Sequence, residues 1–424
     1  MRIVQTFWTA GRDPLKYAFG WSHPEYNLMS WALSCLSLRE HYDEVALYTD
    51  QEGYDVLINK LHLPYTEVNV VYDKNLCLPH HWAYAKIKTY SMQTKPFIHV
   101  DGDVYLPHPI PEDIANAPLI AQNREIGTHY YRSMIDRLLS YPEIILPEFV
   151  KKGLAEQSVA SYNMGLFGGS DLDFIQRYCK EVEDFMNING MNNLSERVSR
   201  IDCNVFFEQI LFAVFADSER REVASLLGRP IQDKGYRACD FCGLRNYLGN
   251  QFFHILGGHK NDSAICRMVE NLLIEKYSEY FINIANLFKD RHVRLDDNDF
   301  AEVLEQYKKS INAFSFIDTQ PEFQNEYIIE INPYAEILFD DKGNSFIKLP
   351  SIESQWYENI PIKEFARNII IILSNNGMKY ANLKEKLDKT FSKTLKVKAE
   401  DLIREEMKYL LYYGVITANI INNN

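Results

Sequence analysis

Over the first hundred residues the apolar positions switch repeatedly between short continuous runs and runs of helical spacing. Arg2–Thr9 predicts a short strand, Tyr26–Glu40 a helix, and Glu44–Asp50 (EVALYTD) a second buried strand. The same pattern continues with a helix at Gly53–Leu61, a strand at Glu67–Val71, a helix at Trp82–Gln93 and a strand at Pro96–Leu106. Alternation of this kind predicts an α/β fold, a mostly parallel sheet covered by helices. Ligands in such folds bind outside the carboxyl ends of the strands, which directs attention to the residues that follow each strand.

Beyond Ala117 the pattern loosens. Strands are predicted at Pro118–Gln122 and Asn163–Gly168, with a helix between them at Tyr130–Ser140. Ser170 has the character of an N-cap for a helix through Met186, and Asn204–Ala216 is a further helical stretch. The segment Gly235–Lys260 is rich in glycine, aromatics and cysteine and predicts loops, followed by two long polar helices at Ser263–Phe288 and Asp299–Ala313. From Thr319 the character changes. Glu326–Pro350 predicts two or three strands with a turn at Asp340–Asn344, and helices follow at Ile362–Leu373, Leu383–Phe391 and Ala399–Tyr413. The expected organisation is a domain over 1–262, a helical extension over 263–318 and a small α+β domain over 319–424.

Composition narrows the function classes. With 46% hydrophobic and 24% charged residues in 424, the chain has enough apolar side chains for a large core. Acidic residues outnumber Lys and Arg by 58 to 45, a net charge of -13, the wrong sign for holding a polyanionic backbone, so no nucleic-acid partner is expected. Seven cysteines at wide spacing suit a reducing compartment better than a disulfide framework. Met1–Trp8 is too short and too lightly charged for a signal peptide, and the longest apolar runs are too short to span a bilayer; a cytoplasmic protein is expected. Aromatics reach 13%, which core packing accounts for before carbohydrate stacking does.

The strongest chemical feature is FIHVDGDVYL, Phe97–Leu106, where an apolar strand delivers Asp101 and Asp103 on either side of Gly102. In an extended segment both carboxylates point the same way and reach one hard cation, while the glycine admits close approach of another group. Asp171-Leu172-Asp173 and Asp297-Asn298-Asp299 repeat the spacing, but there acidic charge at a helix N-terminus is the better account. Burying two aspartates beside Ile98 and Val100 is costly unless a cation or donors compensate. The second feature is His254-Ile255-Leu256-Gly257-Gly258-His259-Lys260, in which a histidine supplies a metal ligand and a lysine after glycines suits a diphosphate. Taken alone it is equally a glycine turn with a surface lysine. Cys239-x2-Cys242-x11-His254-x4-His259 also has nearly the spacing of a zinc finger, but Gly257 and Gly258 interrupt the helix that would have to carry both histidines.

Together the two motifs resemble those of the GT-A glycosyltransferases, with Asp101-Gly102-Asp103 as their Asp-x-Asp motif. His254-x-x-Gly257-x-x-Lys260 is similar to the signature of the family that includes glycogenin and bacterial galactosyltransferases. The match spans roughly Arg2 to Asp262. It implies a Rossmann-like nucleotide-sugar domain and a hexosyltransferase that takes a nucleoside-diphosphate sugar, a UDP-sugar, as donor and retains configuration. It implies Mn2+ or Mg2+ held by Asp101, Asp103 and His254, with Gly257, Lys260 and Lys86 at the diphosphate. Asn163-Met164-Gly165 resembles the strand facing donor sugar and acceptor, and Glu208-Gln209 the acidic-Gln pair near the anomeric carbon, although that family more often has aspartate there and Pro-Trp where this chain has Asn261-Asp262. Thr6, Trp8 and Asp50 are expected at the nucleoside because of where such folds place strand ends. The acceptor stays open among glycan, small molecule and peptide. The C-terminal region resembles a winged-helix or PqqD-like module suited to a peptide or to dimer contact. The competing reading is a noncatalytic nucleotide-sugar or peptide-binding protein with a glycosyltransferase-like fold.

Overall fold

The computed structural model describes residues 1–127, 129–154, 159–190, 200–227, 230–232, 252–288, 297–317, 327–339, 344–350, 357–374, 376–391 and 399–420. The chain divides into two compact units, Met1–Val269 and Glu270–Asn424.

The first unit is built on strands β1 (Arg2–Phe7), β2 (Val45–Thr49), β3 (Glu67–Val70) and β4 (Phe97–Val100), followed by a two-residue β5 (Val104–Tyr105), β6 (Ile120–Gly127), β7 (Val159–Gly169), β8 (Ala224–Ser225), β9 (Ile231–Gln232) and β10 (Phe253–His254). Among the described residues the sheet order is β3-β2-β1-β4-β7-β6-β8, with β9 also on β6. The neighbours β3, β2, β1 and β4 are parallel, whereas β7 runs antiparallel to both β4 and β6. The parallel half matches the α/β expectation. The antiparallel pairing of β7 makes the sheet mixed; β6 and β7 are longer than their apolar stretches suggest and carry buried polar side chains such as Asn123 and Asn163.

Every residue of β2 and β4 is buried, as befits strands covered on both faces. One covering helix, Pro24–Arg39, is buried almost along its whole length. Beside the sheet, Phe167 packs between Tyr90 (4.6 Å between ring centroids), Phe212 (5.1 Å) and Tyr178 (6.0 Å), so many of the aromatics serve the core. Two local expectations are corrected. The helix Leu172–Ile188 is capped by Asp171, whose side chain accepts from Phe174 N–H at 3.1 Å, rather than by Ser170. The helix expected at Asn204–Ala216 runs from Arg200 to Ser218 and contains a π-helical turn at Phe206–Ile210.

Among its described residues the second unit holds two three-stranded antiparallel sheets. One is ordered Met378–Lys379, Tyr327–Ile331, Ile416–Ile420; the other Glu336–Phe339, Ser345–Pro350, Tyr357–Ile362. Helices Glu364–Leu373, Tyr380–Phe391 and Ala399–Tyr412 bury Ile369, Leu383, Ile403 and Leu411 against these strands. The expectation of strands followed by three helices is amended by the closing strand Ile416–Ile420, which returns to pair with Tyr327–Ile331. Among the described residues no helix is long and apolar enough to cross a membrane.

Candidate functional site

The segment after β4 does not remain extended. Asp101, Gly102 and Asp103 form a turn closed by Val104 N–H donating to the Asp101 carbonyl at 3.1 Å, and β5 resumes the strand. The two carboxylates therefore converge through a turn, not through the alternation of a strand. Three serines of the helix Pro24–Arg39 hold it. Ser30 Oγ donates to the Gly102 carbonyl at 2.7 Å, Ser34 Oγ donates to the Val104 carbonyl at 2.7 Å, and Ser37 Oγ accepts from Leu106 N–H at 3.2 Å. Their spacing of four and three puts all three hydroxyls on one helix face. The group admitted by Gly102 is the Trp31 indole: a Cβ there would lie 2.5 Å from Cε2 of that ring.

His254 comes from β10, which pairs antiparallel with β5 and sets His254 opposite Val104. Its Nδ1 lies 2.6 Å from Gln122 Oε1. An amide oxygen only accepts, so Nδ1 carries the hydrogen and the lone pair of the neutral ring is at Nε2, which faces Asp103 Oδ1 at 3.5 Å. Burial lowers the His254 pKa against the opposing pull of Asp103 and Asp101, which favours that neutral form. Asp103 Oδ2 meets Lys260 Nζ at 2.6 Å. Burial raises the Asp103 pKa, but the charge of Lys260 leads the opposing pull and the carboxyl is held below its usual range.

Lys86 is enclosed between Asp101, at 2.9 Å from Oδ1, and Glu208, at 2.5 Å from Oε1. Burial opposes its charge, yet Asp101 and Glu208 raise its pKa. Burial, assisted by Asp101 and Asp103, pushes Glu208 up to about 7 although Lys86 pulls the other way. His99, fully buried in β4, has its pKa lowered well below the usual value by burial and by the charge of Lys86.

Asp101, Gly102, Asp103, Lys86, Gly257 and Lys260 line one cavity of about 590 Å³, together with Thr6 and Trp8 from the end of β1 and the residue after it. Trp8 Nε1 donates to the Asp73 carbonyl at 3.0 Å, while the Thr6 hydroxyl is 3.0 Å from His99 Nε2. Asp50, Asn163, Glu208, Gln209 and His254 do not line the cavity. The carboxylate of Asp50, expected at the nucleoside, accepts from Thr9 N–H (2.8 Å), Thr9 Oγ1 (2.7 Å) and Gly53 N–H (3.0 Å), the last as cap of the helix Gln51–Tyr54. Asn163 Oδ1 accepts from Gly165 N–H at 3.0 Å and its Nδ2 donates to Glu125 Oε1 at 3.3 Å. Gln209 is half-buried one residue beyond Glu208.

Asp101, Asp103 and His254 each offer a ligand atom, all within 4.8 Å of one another. Asp103 Oδ1 is buried without a hydrogen bond, a costly arrangement that a cation would relieve. Two carboxylates and an imidazole suit Mn2+ or Mg2+ better than a soft metal. The zinc-finger alternative loses its histidine pair: His254 faces Gln122 and Asp103, and His259 is exposed. Cys239 and Cys242 lie outside the described residues. The residues that the motifs did not reveal are Gln122, His99 and the three serines. Only the serine spacing was a visible signal.

Fold and site thus define an α/β protein with a mixed sheet and an Asp-Asp-His cluster, able to hold a metal ion, at the end of a central strand. The chain belongs to a family of unknown function (DUF6734), whose sequence profile matches residues 1–287. No curated protein matches it. Among solved structures, mouse xyloside xylosyltransferase 1 in its apo form is 11% identical, with a TM-score of 0.30 over 53% of this chain and 84% of that one. An overlap of that extent does not establish a shared fold.

Proposed function

We propose that the chain is a metal-dependent glycosyltransferase of the GT-A type, moving a hexose from a UDP-sugar to an acceptor with retention of anomeric configuration. The observation that carries this reading is the convergence of Asp101, Asp103, His254 and Lys260 beside one open cavity. Asp101, Asp103 and His254 would hold Mn2+ or Mg2+, and the bound ion supplies electrophilic stabilisation of the departing diphosphate. Lys260, on the cavity wall, exchanges part of its pairing with Asp103 for diphosphate oxygens, and Gly257 keeps the approach to that lysine open. Lys86 is committed to Asp101 and Glu208, so its contribution is to make that concentration of acidic charge tolerable. Glu208 acts from behind Lys86 on the charge of the wall where an oxocarbenium-like centre develops. Asn163 and Gln209 belong to the surroundings of the donor sugar in this reading, and Thr6 and Trp8 to those of the nucleoside.

In the same reading residues 1–262 are the transferase domain, 263–318 a helical extension, and 319–424 an accessory winged-helix or PqqD-like module for a peptide or a second copy. The enzyme acts in the cytoplasm. A thermal-shift series with UDP, GDP, CMP and their sugar conjugates, each with Mn2+, Mg2+ or EDTA, tests the site. A ligand at a hundred times its dissociation constant adds about 2.7 kcal/mol. Stabilisation by a uridine nucleotide only with metal, lost in Asp103→Ala, is expected; equal response in that variant, or no response to any nucleotide, overturns the reading. Slow metal-dependent hydrolysis of the donor separates a transferase from a binding protein, and NMR of the anomeric product checks retention.

A further inference from the structure

We propose that His99 is a positioning residue, fixing the Asp101 carboxylate for cation binding from the end of a buried hydrogen-bond chain that runs through Tyr72, Thr89 and Thr6. A histidine inside the apolar strand Phe97–Val100 is costly to bury and needs a reason. Its Nδ1 lies 3.6 Å from Asp101 Oδ1, and no hydrogen bond is made at that nitrogen. Its Nε2 lies 3.0 Å from Thr6 Oγ1, which is 2.5 Å from Thr89 Oγ1, which is in turn 2.5 Å from the Tyr72 hydroxyl.

The direction of this chain follows from its last member. His254 Nε2 belongs to the group that could hold a cation, but His99 does not; a carboxylate accepts only, so a His99 lone pair turned towards Asp101 would set two acceptors against each other in a buried place. The neutral ring therefore carries its hydrogen on Nδ1, towards Asp101. Its Nε2 then accepts from Thr6, Thr6 from Thr89, and Thr89 from Tyr72, which requires the Thr89 and Tyr72 hydroxyls to turn into this chain from the Ala85 carbonyl, within reach at 3.2 and 3.0 Å. Tyr90 packs edge-on against the imidazole at 5.1 Å between centroids and restricts its rotation. Lys86 anchors Asp101 from the Glu208 side. His99 supplies the second restraint, from within the sheet, so the carboxylate is not drawn away towards Lys86. The partners that orient metal ligands commonly contribute 10- to 100-fold to metal affinity.

This inference rests on reading Asp101 as a metal ligand, and the test separates the two. Mn2+ binding to the full chain is measured by electron paramagnetic resonance of the free ion, for wild type, His99→Leu, His99→Gln and His99→Asn. Asparagine can place an amide N–H near the position of Nδ1; glutamine places its amide near Nε2. The expected result is wild-type binding weakened about 10- to 100-fold by His99→Leu and His99→Gln and largely kept by His99→Asn. A role confined to packing would affect Leu and Asn alike, so equal loss in both overturns the proposal, as does wild-type affinity in His99→Leu. No Mn2+ binding by the wild type overturns the metal site and this inference with it. If circular dichroism shows the His99 variants unfolded, Thr6→Val removes the hydroxyl that orients His99 while retaining a β-branched strand residue. Weaker Mn2+ binding there supports the relay, and unchanged binding overturns it.

Discussion

The imidazole of His254 occupies the volume in which a side chain at position 165 would stand. A Cβ on Gly165 would lie 2.4 Å from His254 Cε1, 2.5 Å from Nδ1 and 2.5 Å from Gln122 Oε1. The glycine of the Asn163-x-Gly165 strand thus makes room for His254, one of three residues that could hold a metal ion, from far along the chain. Gly165→Ala is expected to push His254 off Gln122, to cost about 1–3 kcal/mol through overpacking, and to weaken Mn2+ binding roughly 10-fold or more. A thermal midpoint and a Mn2+ titration on the same sample check this, and undiminished affinity would mean that His254 is not a ligand.

Lys86 and Glu208 form a buried ion pair, 5% and 1% exposed. Removing one partner of such a pair leaves an uncompensated charge, whereas removing both can be nearly neutral. Lys86→Met should destabilise the fold by about 3–5 kcal/mol. Adding Glu208→Gln should restore part of that loss, although Asp101 still lacks its lysine. Urea denaturation of the two single variants and the double variant gives the coupling directly. Additive losses would show that the two residues do not support one another.

The parallel half of the sheet was legible because strands buried on both faces show as continuous apolar runs, as in Glu44–Asp50 and Phe97–Val100. The antiparallel half was legible only in part: β6 and β7 bury Gln122, Asn123, Glu125, Ser161 and Asn163, which interrupt the pattern. Asp101, Asp103, His254 and Lys260 were visible from motif spacing and Lys86 from the family resemblance alone, and they lie together. Gln122 was not, because its contact with His254 joins residues 132 apart in the chain; His99 was not, because spacing alone does not say that its side chain turns towards Asp101 at the strand end. Asp50 shows what strand position alone leaves out. It follows a buried strand, the place from which a nucleoside contact is expected, and its oxygens cap a helix start and hold Thr9.

The Asp50 carboxylate is buried and accepts three hydrogen bonds, two from Thr9 and one from Gly53. Loss of an N-cap costs about 1 kcal/mol, and leaving a buried donor without a partner costs about 1–3 kcal/mol more. Asp50→Ala should therefore lose about 2–4 kcal/mol of stability. Its thermal midpoint should fall with or without nucleotide. If only the nucleotide-dependent increment disappears, Asp50 touches the ligand after all.

His81 is almost fully buried, and its Nδ1 makes no hydrogen bond. Burial, with the neighbouring His80 charge adding to it, pushes its pKa down to about 4. An unfolded histidine titrates near 6.5, so between about 6.5 and 4 the unfolded chain binds a proton that the folded chain refuses. Stability from this group is complete above about pH 6.5 and is lost as the pH falls towards 4, at roughly 1.4 kcal/mol per pH unit. In His81→Phe the ring is kept and the titration is removed. Any packing cost of the larger ring is the same at every pH and cancels in the comparison. Relative to wild type, the variant should therefore gain about 2 kcal/mol between pH 7 and pH 5, read from urea denaturation at the two values. A wild-type-minus-variant difference that stays constant over this interval would show that His81 takes up its proton as readily in the fold as in the unfolded chain.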